Sequence, residues 1–271
     1  MKEKLISLEE VRKIHPLFQS KFVSKCAMKI AGLNIANKIY DAGKHCTGSD
    51  IEDALLNSIG IIRKIHNIDV IKQFEKMPFI TVSNHPYGHI DGIAIIGEIS
   101  KLRPDYKVMV NWILNMIDIM REHFIAVNPY GKDVVDKSSL SGVKESIQHL
   151  KNGKPLGFFP AGAVSFPKCK GEIEDREWQD VVIRIIQKAQ VPVIPVYISG
   201  QNSKFFYWLA KISWQIRTLR LCHELNNKKG KTVDLVFGEP IMPEELAEYT
   251  DIKDLGQFLK NRTYQLAANI R

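Results

Sequence analysis

Apolar positions divide this chain into a helical first quarter and a longer stretch of alternating strands and helices. Over residues 5–75 the apolar side chains recur at helical spacing. Ser7-Leu8-Glu9-Glu10 has the form of an N-cap and first turn. Phe22, Cys26, Ile30, Leu33, Ala36 and Tyr40 then follow at steps of three and four, predicting one amphipathic helix that ends near Gly43. A further helix starts at Ser49-Asp50-Ile51-Glu52, carries Ile51, Leu55 and Ile59 on one face, and ends near Gly60. Beyond residue 75 the period changes. Strands are predicted at 78–83, 106–111, 124–127, 155–159, 191–197 and 232–237, and helices at 91–101, 113–121, 139–151, 176–189, 203–223 and 253–269. Val191-Pro-Val-Ile-Pro-Val-Tyr197 is apolar on both faces, as a central strand would be, whereas its prolines argue for an edge or a bulge. This order predicts an α/β fold: a mixed β-sheet flanked by helices, with a helical lead-in over 1–75 and an α/β domain over 76–271.

The stretch Ser83-Asn84-His85-Pro86-Tyr87-Gly88-His89-Ile90-Asp91-Gly92 falls where the period switches from strand to helix. Ligands and catalytic groups gather at that edge of an α/β sheet. His85 with Asp91 has the make-up of a general base and an orienting carboxylate, and Gly88 permits a tight turn between them. Three plainer readings compete: Asp91 as a helix N-cap, His85 as a hydrogen-bonded loop histidine, or His85, His89 and Asp91 as metal ligands completed by His123 or Asp118.

Composition narrows the partners. The chain has 271 residues, 45% hydrophobic and 25% charged, with a net charge of +8. That surplus favours anionic partners without choosing among them. Cys26, Cys46, Cys169 and Cys222 form no CxxC pair, so free thiols are expected. The N-terminus lacks the apolar core of a signal peptide, and no apolar run reaches the length of a membrane span, so monotopic membrane contact is expected. Residues 201–231 hold +6 of the +8. There Phe205, Leu209, Ile212, Ile216 and Leu219 make one helical stripe, and Lys204, Phe206, Trp208, Lys211, Trp214, Arg217 and Arg220 are the expected contacts with an anionic membrane. The competing reading is a core-packed helix with solvated charges. Residues 20–40 are a second candidate for membrane contact. Nucleic-acid binding is disfavoured because no recognition module is present.

Asn84-His-Pro-Tyr-Gly-His-Ile-Asp-Gly92 resembles motif I of the PlsC-like glycerolipid and lysophospholipid acyltransferase superfamily. Phe124–Asn128 is similar to motif II, Phe158-Phe-Pro-Ala-Gly-Ala-Val-Ser165 to motif III, and Val191–Val196 to motif IV, in the family's order. The resemblance implies an O-acyltransferase that moves a fatty acyl group from acyl carrier protein or coenzyme A to a lyso-lipid hydroxyl. It needs no cofactor, no metal and no covalent intermediate, because the hydroxyl can attack the thioester directly. His85 would be the base and Asp91 its partner. Asn84, Gly88, Asn128, Pro160, Gly162 and Ser165 would bind substrate, with the Gly162 N–H able to face an oxyanion or head group.

Two departures matter. Five residues separate His85 from Asp91, where the family usually has four. Ala161 and Ala163-Val164 stand where Glu and Thr-Arg are usual, so the loop lacks the arginine expected to hold an acceptor phosphate. The chain therefore looks more like the bacterial hemolysin-like subgroup, similar to lyso-ornithine or lyso-glycine lipid O-acyltransferases. It would be peripheral on the cytoplasmic face of the inner membrane. A 1-acylglycerol-3-phosphate acyltransferase, a metal-dependent hydrolase and a non-catalytic lipid-binding protein are the alternatives.

Overall fold

A computed structural model describes residues 2–127, 137–168 and 171–270. In chain order they form α1 Leu8–Ile14, α2 Lys21–Ile30, α3 Leu33–Gly43, α4 Asp50–Ile59, β1 Ile62–His66, β2 Ile80–Ser83, α5 Ile90–Ser100, β3 Lys107–Asn111 and β4 Phe124–Val127. There follow α6 Lys137–Lys151, β5 Leu156–Phe158, β6 Phe166–Pro167, β7 Ile173–Glu174, α7 Asp180–Ala189, β8 Val193–Ile198, α8 Lys204–Ile212, α9 Trp214–Glu224, β9 Thr232–Phe237, α10 Pro243–Ala247 and α11 Ile252–Gln265.

Seven strands build one sheet in the order β1-β9-β8-β2-β5-β3-β4. Every neighbouring pair is parallel except β8 with β9. The mixed α/β sheet expected from the pattern is therefore present. Strand alternation sorts the core into two layers. Phe79, Ile194, Val196 and Ile198 pack with Leu55, Leu56, Ile95 and Ile99 of α4 and α5. Ile80, Val82 and Val193 point to the other face and pack with Leu150 of α6, Ile183 and Ile186 of α7, and Leu255 and Leu259 of α11.

β8 is central, between β9 and β2, despite Pro195. Val193 faces the β9 side, where its N–H donates to the Ile241 carbonyl at 2.9 Å. Pro195, two residues on, faces the same side, and its carbonyl accepts from Gly238 N–H at 2.8 Å. The missing proline N–H thus falls where the chain has left β9 and turned through Gly238–Pro240, so the ladder loses no partner there.

Several expected boundaries differ. The single helix expected to run to Gly43 is broken at Gly32, whose φ of 69° is left-handed. A Cβ at Gly32 would lie 3.0 Å from Cys222 Cβ, so the break also lets α9 approach. Residues 62–66 form edge strand β1, not helix. The stretch 113–121 is two short 3-10 segments, Trp112–Met116 and Asp118–His123. The helix expected at 203–223 breaks at Ser213, which is extended and caps α9 by accepting from Gln215 N–H at 3.2 Å. The expected capping box is formed: Ser7 Oγ accepts from Glu10 N–H at 3.1 Å, and Glu10 accepts from Ser7 N–H at 2.7 Å.

Glu52 in α4 is wholly buried, and neither carboxyl oxygen has a hydrogen-bond partner among the described residues. Burial pushes its pKa up, against a weaker downward pull from His123. A carboxyl whose folded pKa is raised contributes most to stability below its unfolded pKa, and that contribution is lost as pH rises through the folded value. Glu52→Gln should therefore raise the urea midpoint at pH 8, by roughly 1–3 kcal/mol of stability, and the gap should close near pH 4. Equal gaps at both pH values would contradict an ionising Glu52.

Candidate active site

The C-terminal ends of three adjacent strands, β8, β2 and β5, lie on one edge of the sheet. The loops that leave them, 84–89, 159–165 and 199–203, meet there, as expected for a ligand site on a parallel sheet. His85 stands in the first loop, and Asp91 is the second residue of α5.

His85 Nδ1 lies 2.9 Å from Asp91 Oδ2. The ring N–H is not aligned on that oxygen, so the contact is a close approach and not a well-directed hydrogen bond. Asp91 is fully buried. Its carboxylate accepts from Tyr87 N–H at 3.0 Å and Gly88 N–H at 2.7 Å, and it lies at the positive end of the α5 dipole. Gly88 has a φ of 88°, and a Cβ there would stand 2.5 Å from Val164 Cγ2. A side chain at Gly88 would therefore be strained and would displace Val164 or the turn itself. The imidazole packs on Phe159, with ring centroids 4.4 Å apart. Nδ1 is held toward Asp91, which leaves Nε2 as the nitrogen available to a substrate.

The plain N-cap role falls to His89. Its Nδ1 accepts from Ile90 N–H at 2.8 Å, and its Nε2 donates to the Leu221 carbonyl at 3.1 Å. Burial lowers its pKa to about 4, so the ring is neutral. With both nitrogens engaged, His89 is not free to ligate a metal. Among the described residues no group of three or more His, Cys, Asp or Glu could hold a metal ion. His123 is turned inward, with Nδ1 bonded to the Tyr106 carbonyl at 2.9 Å, and Asp118 accepts from the Tyr40 hydroxyl at 2.7 Å.

Several residues expected to contact substrate have their polar groups engaged in holding the loops. Asn84 is buried and spends its amide on the Ile198 backbone, donating to the carbonyl at 2.9 Å and accepting from the N–H at 2.7 Å. It locks the end of β2 to the end of β8. The Gly162 N–H closes a turn onto the Phe159 carbonyl at 2.9 Å, so it cannot face an oxyanion. The space beside Gly162 is filled by the Gln179 side chain. Pro160 is buried, and its carbonyl accepts from Gln179 N–H at 2.9 Å. Ser165 is buried; its N–H donates to the His85 carbonyl at 2.9 Å and its hydroxyl to Asp175 at 2.6 Å. Asn128 lies outside the described residues.

Asp175 is a site residue that sequence reasoning missed. It is wholly buried and accepts from the Ser165 hydroxyl, from Trp178 Nε1 at 3.1 Å and from His85 N–H at 3.2 Å. Burial pushes its pKa up. Lys260 of α11 donates to the Asp175 carbonyl at 2.7 Å, so the last long helix holds this carboxylate in place. Asp175 thus ties the histidine loop to the loop after β5. Its sequence context, Glu172-Ile-Glu-Asp-Arg-Glu177, reads as a solvated run and gives no signal of burial. Asn202 was missed as well: its buried amide donates to the Tyr87 carbonyl at 3.1 Å and fixes the turn from the β8 side.

α8 and α9 flank the turn. Phe206, expected at a membrane, is only 1% exposed, and Tyr207 and Leu209 are buried beside it. Lys228, one of the basic cluster, is buried against the Tyr87 ring at 5.2 Å. Arg217 is half-buried over the Phe206 ring at 5.6 Å. Arg220 lies over the Phe205 ring at 5.3 Å, and its Nε stands 3.9 Å from Glu224. Trp208 and Trp214 are 52% and 56% exposed, with Phe205, Ile212, Ile216 and Leu219 also outward and Lys204 and Lys211 beside them. Phe22 and Ile30 of α2 are 75% and 70% exposed. α2 adjoins α9 through His223 Nε2, which lies 3.0 Å from the Ile30 carbonyl. No helix among the described residues is long and apolar enough to cross a membrane.

The family model for acyltransferases matches residues 52–271. A lyso-glycine lipid O-acyltransferase of Bacteroides thetaiotaomicron is 28% identical, over 91% of this chain and 90% of that one. Another from Phocaeicola vulgatus is 26% identical, over 97% and 95%. The crystal structure of PlsC, the 1-acyl-sn-glycerophosphate acyltransferase of Thermotoga maritima, superposes with a TM-score of 0.52 at 18% identity, over 97% of this chain and 94% of that one. At that identity the likeness speaks for the fold.

Proposed function

We propose that this chain, which belongs to the acyltransferase family, transfers a fatty acyl group from an acyl thioester to the hydroxyl of a lyso-aminolipid. The observation that carries this reading is the contact between His85 Nδ1 and the buried Asp91 carboxylate. A lipid hydroxyl is too weak an acid to ionise at neutral pH, so it needs a base at the moment of attack. His85 Nε2 takes the hydroxyl proton as the oxygen attacks the thioester carbonyl. Asp91 holds the tautomer and stabilises the imidazolium. Collapse of the tetrahedral intermediate breaks the C–S bond, and the imidazolium returns its proton to the leaving thiolate. The products are an ester and a free thiol, carried by acyl carrier protein or coenzyme A. The names of the two relatives support a lyso-aminolipid acceptor, as does a loop with Val164 where an arginine would suit a phosphate.

The exposed tryptophans and lysines of α8 and α9, next to the outward apolar side chains of α2, support docking on an anionic bilayer, from which both lipid chains reach the site. We place the enzyme on the cytoplasmic face of the inner membrane, where acyl thioesters are available.

Purified protein incubated with labelled acyl carrier protein or acyl-CoA, lyso-lipids and anionic vesicles should give an O-acylated aminolipid. It should co-float with the vesicles, and a chelator should leave the rate unchanged. Absence of ester product with every donor would overturn the reading in favour of a lipid-binding protein. Loss of activity on chelation would favour metal chemistry, and a preference for lysophosphatidic acid would replace the acceptor.

A further inference from the structure

Two arginines flank the His85 turn. Arg176 directly follows Asp175, and its Nε donates to the Ala161 carbonyl at 2.6 Å. Its guanidinium therefore lies against the loop after β5, and among the described residues its terminal nitrogens make no hydrogen bond. Lys260 holds the Asp175 and Arg176 carbonyls at 2.7 and 3.4 Å, which fixes the segment that carries it. Arg217 comes from the opposite wall. It lies over Phe206, one helical turn before Leu221. Leu221 accepts from His89 through its carbonyl, and its methyl carbons come within 3.3 Å of a Cβ placed on Gly88. Burial pushes the Arg217 pKa down, Tyr207 opposes this, and the like charge of Arg176 pushes it further down. Arg176 thus stands on the loop after β5 and Arg217 on the α9 side, each beside the turn that carries His85.

Among the described residues neither has a carboxylate partner. Arg63, Arg103 and Arg262 are each paired with one, at 2.7, 2.9 and 3.2 Å, whereas Arg121 and Arg184, away from this turn, have none among the described residues. A half-buried guanidinium beside a second cation is costly without an anion. Planar forks from two sides suit a carboxylate or phosphate.

We infer that Arg176 and Arg217 together form the site for the anionic head group of the acceptor. The inference rests on the acyl-transfer reading and goes further, by assigning the recognition that Val164 cannot supply. An N-acylated amino acid ends in a carboxylate, and a lysophosphatidic acid in a phosphate. Either oxyanion would neutralise the pair while its hydroxyl lies toward His85 Nε2.

The test uses short-chain, water-soluble acceptors, so that membrane docking does not enter: a 3-hydroxyacyl glycine, its methyl ester and a short-chain lysophosphatidic acid. Binding is measured by calorimetry in the His85→Ala background, with Arg176→Ala, Arg217→Ala and the two lysine variants added. Turnover is measured separately with the arginine variants alone. Each alanine variant should weaken binding of an anionic acceptor roughly tenfold or more and raise its KM with little change in kcat. The lysine variants should recover part of the loss. The methyl ester should bind weakly and equally to all. Which of the two anions loses more identifies the natural head group. Unchanged binding of both anions in the alanine variants overturns the inference, as does an equal loss for the methyl ester. Failure of wild type to turn over any acceptor would overturn the acyl-transfer reading alone, because the binding comparison stands without turnover.

Discussion

His85→Ala should lower acyl-transfer turnover by about 10²–10⁴-fold while the protein melts as a folded domain. The turn does not depend on the imidazole for its shape. Its backbone is held by Asn84 on Ile198, by Ser165 N–H on the His85 carbonyl, and by Asp91 on Tyr87 and Gly88 N–H. The imidazole itself contributes its contact with Asp91 and its packing on Phe159. Loss should therefore appear in kcat, with acceptor KM nearly unchanged, because Nε2 acts on the proton in the transition state and not on the head group. Wild-type-like turnover in this variant would remove His85 from the chemistry.

Asp91→Asn should lower kcat by roughly 10³–10⁴-fold and should also cost stability, which separates it from the histidine variant. One carboxylate oxygen, Oδ2, accepts from both the Tyr87 and Gly88 N–H groups and faces His85 Nδ1. An amide has a single acceptor oxygen, and it carries no charge. If that oxygen takes the Oδ2 position, the contacts remain but the imidazolium loses its stabilising charge. If the NH₂ takes it, the buried Tyr87 and Gly88 donors are left unpaired, at about 1–3 kcal/mol, and the donor facing His85 favours the wrong tautomer. A lower denaturation midpoint together with lost turnover is the expected pair of results. Full activity with reduced stability would make Asp91 a support of the turn and nothing more.

The contrast between these two carboxylate-dependent residues and Asp175 shows where one-dimensional reading stops. Asp91 could be found because it follows His85 across a Gly-marked turn into an apolar helix, so chain proximity brings the pair together. Asp175 sits 90 residues from His85 in sequence, yet its oxygen lies 3.2 Å from the His85 N–H. Nothing in a run of acids and bases says which charge the fold will bury. Strand β1 was missed for a related reason. Ile62-Arg-Lys-Ile-His66 lies on a sheet edge with Ile62 exposed, so it shows neither the alternation nor the continuous apolar run that a strand signals by. The helix expected over 203–223 keeps Trp208 and Trp214 outward as expected, but not Phe206. Ser213 breaks it in two, Phe206 goes to the core, and Phe205 and Trp208 go outward. A stripe can be counted from spacing, but which way it faces depends on the surface it packs against.

The sequence by itself determined the α/β class, the sheet's main strands and the His85–Asp91 pair, because each rests on local period, turn chemistry and short chain separation. Tertiary structure alone decided that Asn84 and Ser165 brace the site, that Asp175 joins its two loops, and that Arg176 rests on the loop after β5. Those assignments depend on long-range burial and hydrogen-bond partnership, which arise only when β8, β2 and β5 bring distant loops to one edge of the sheet.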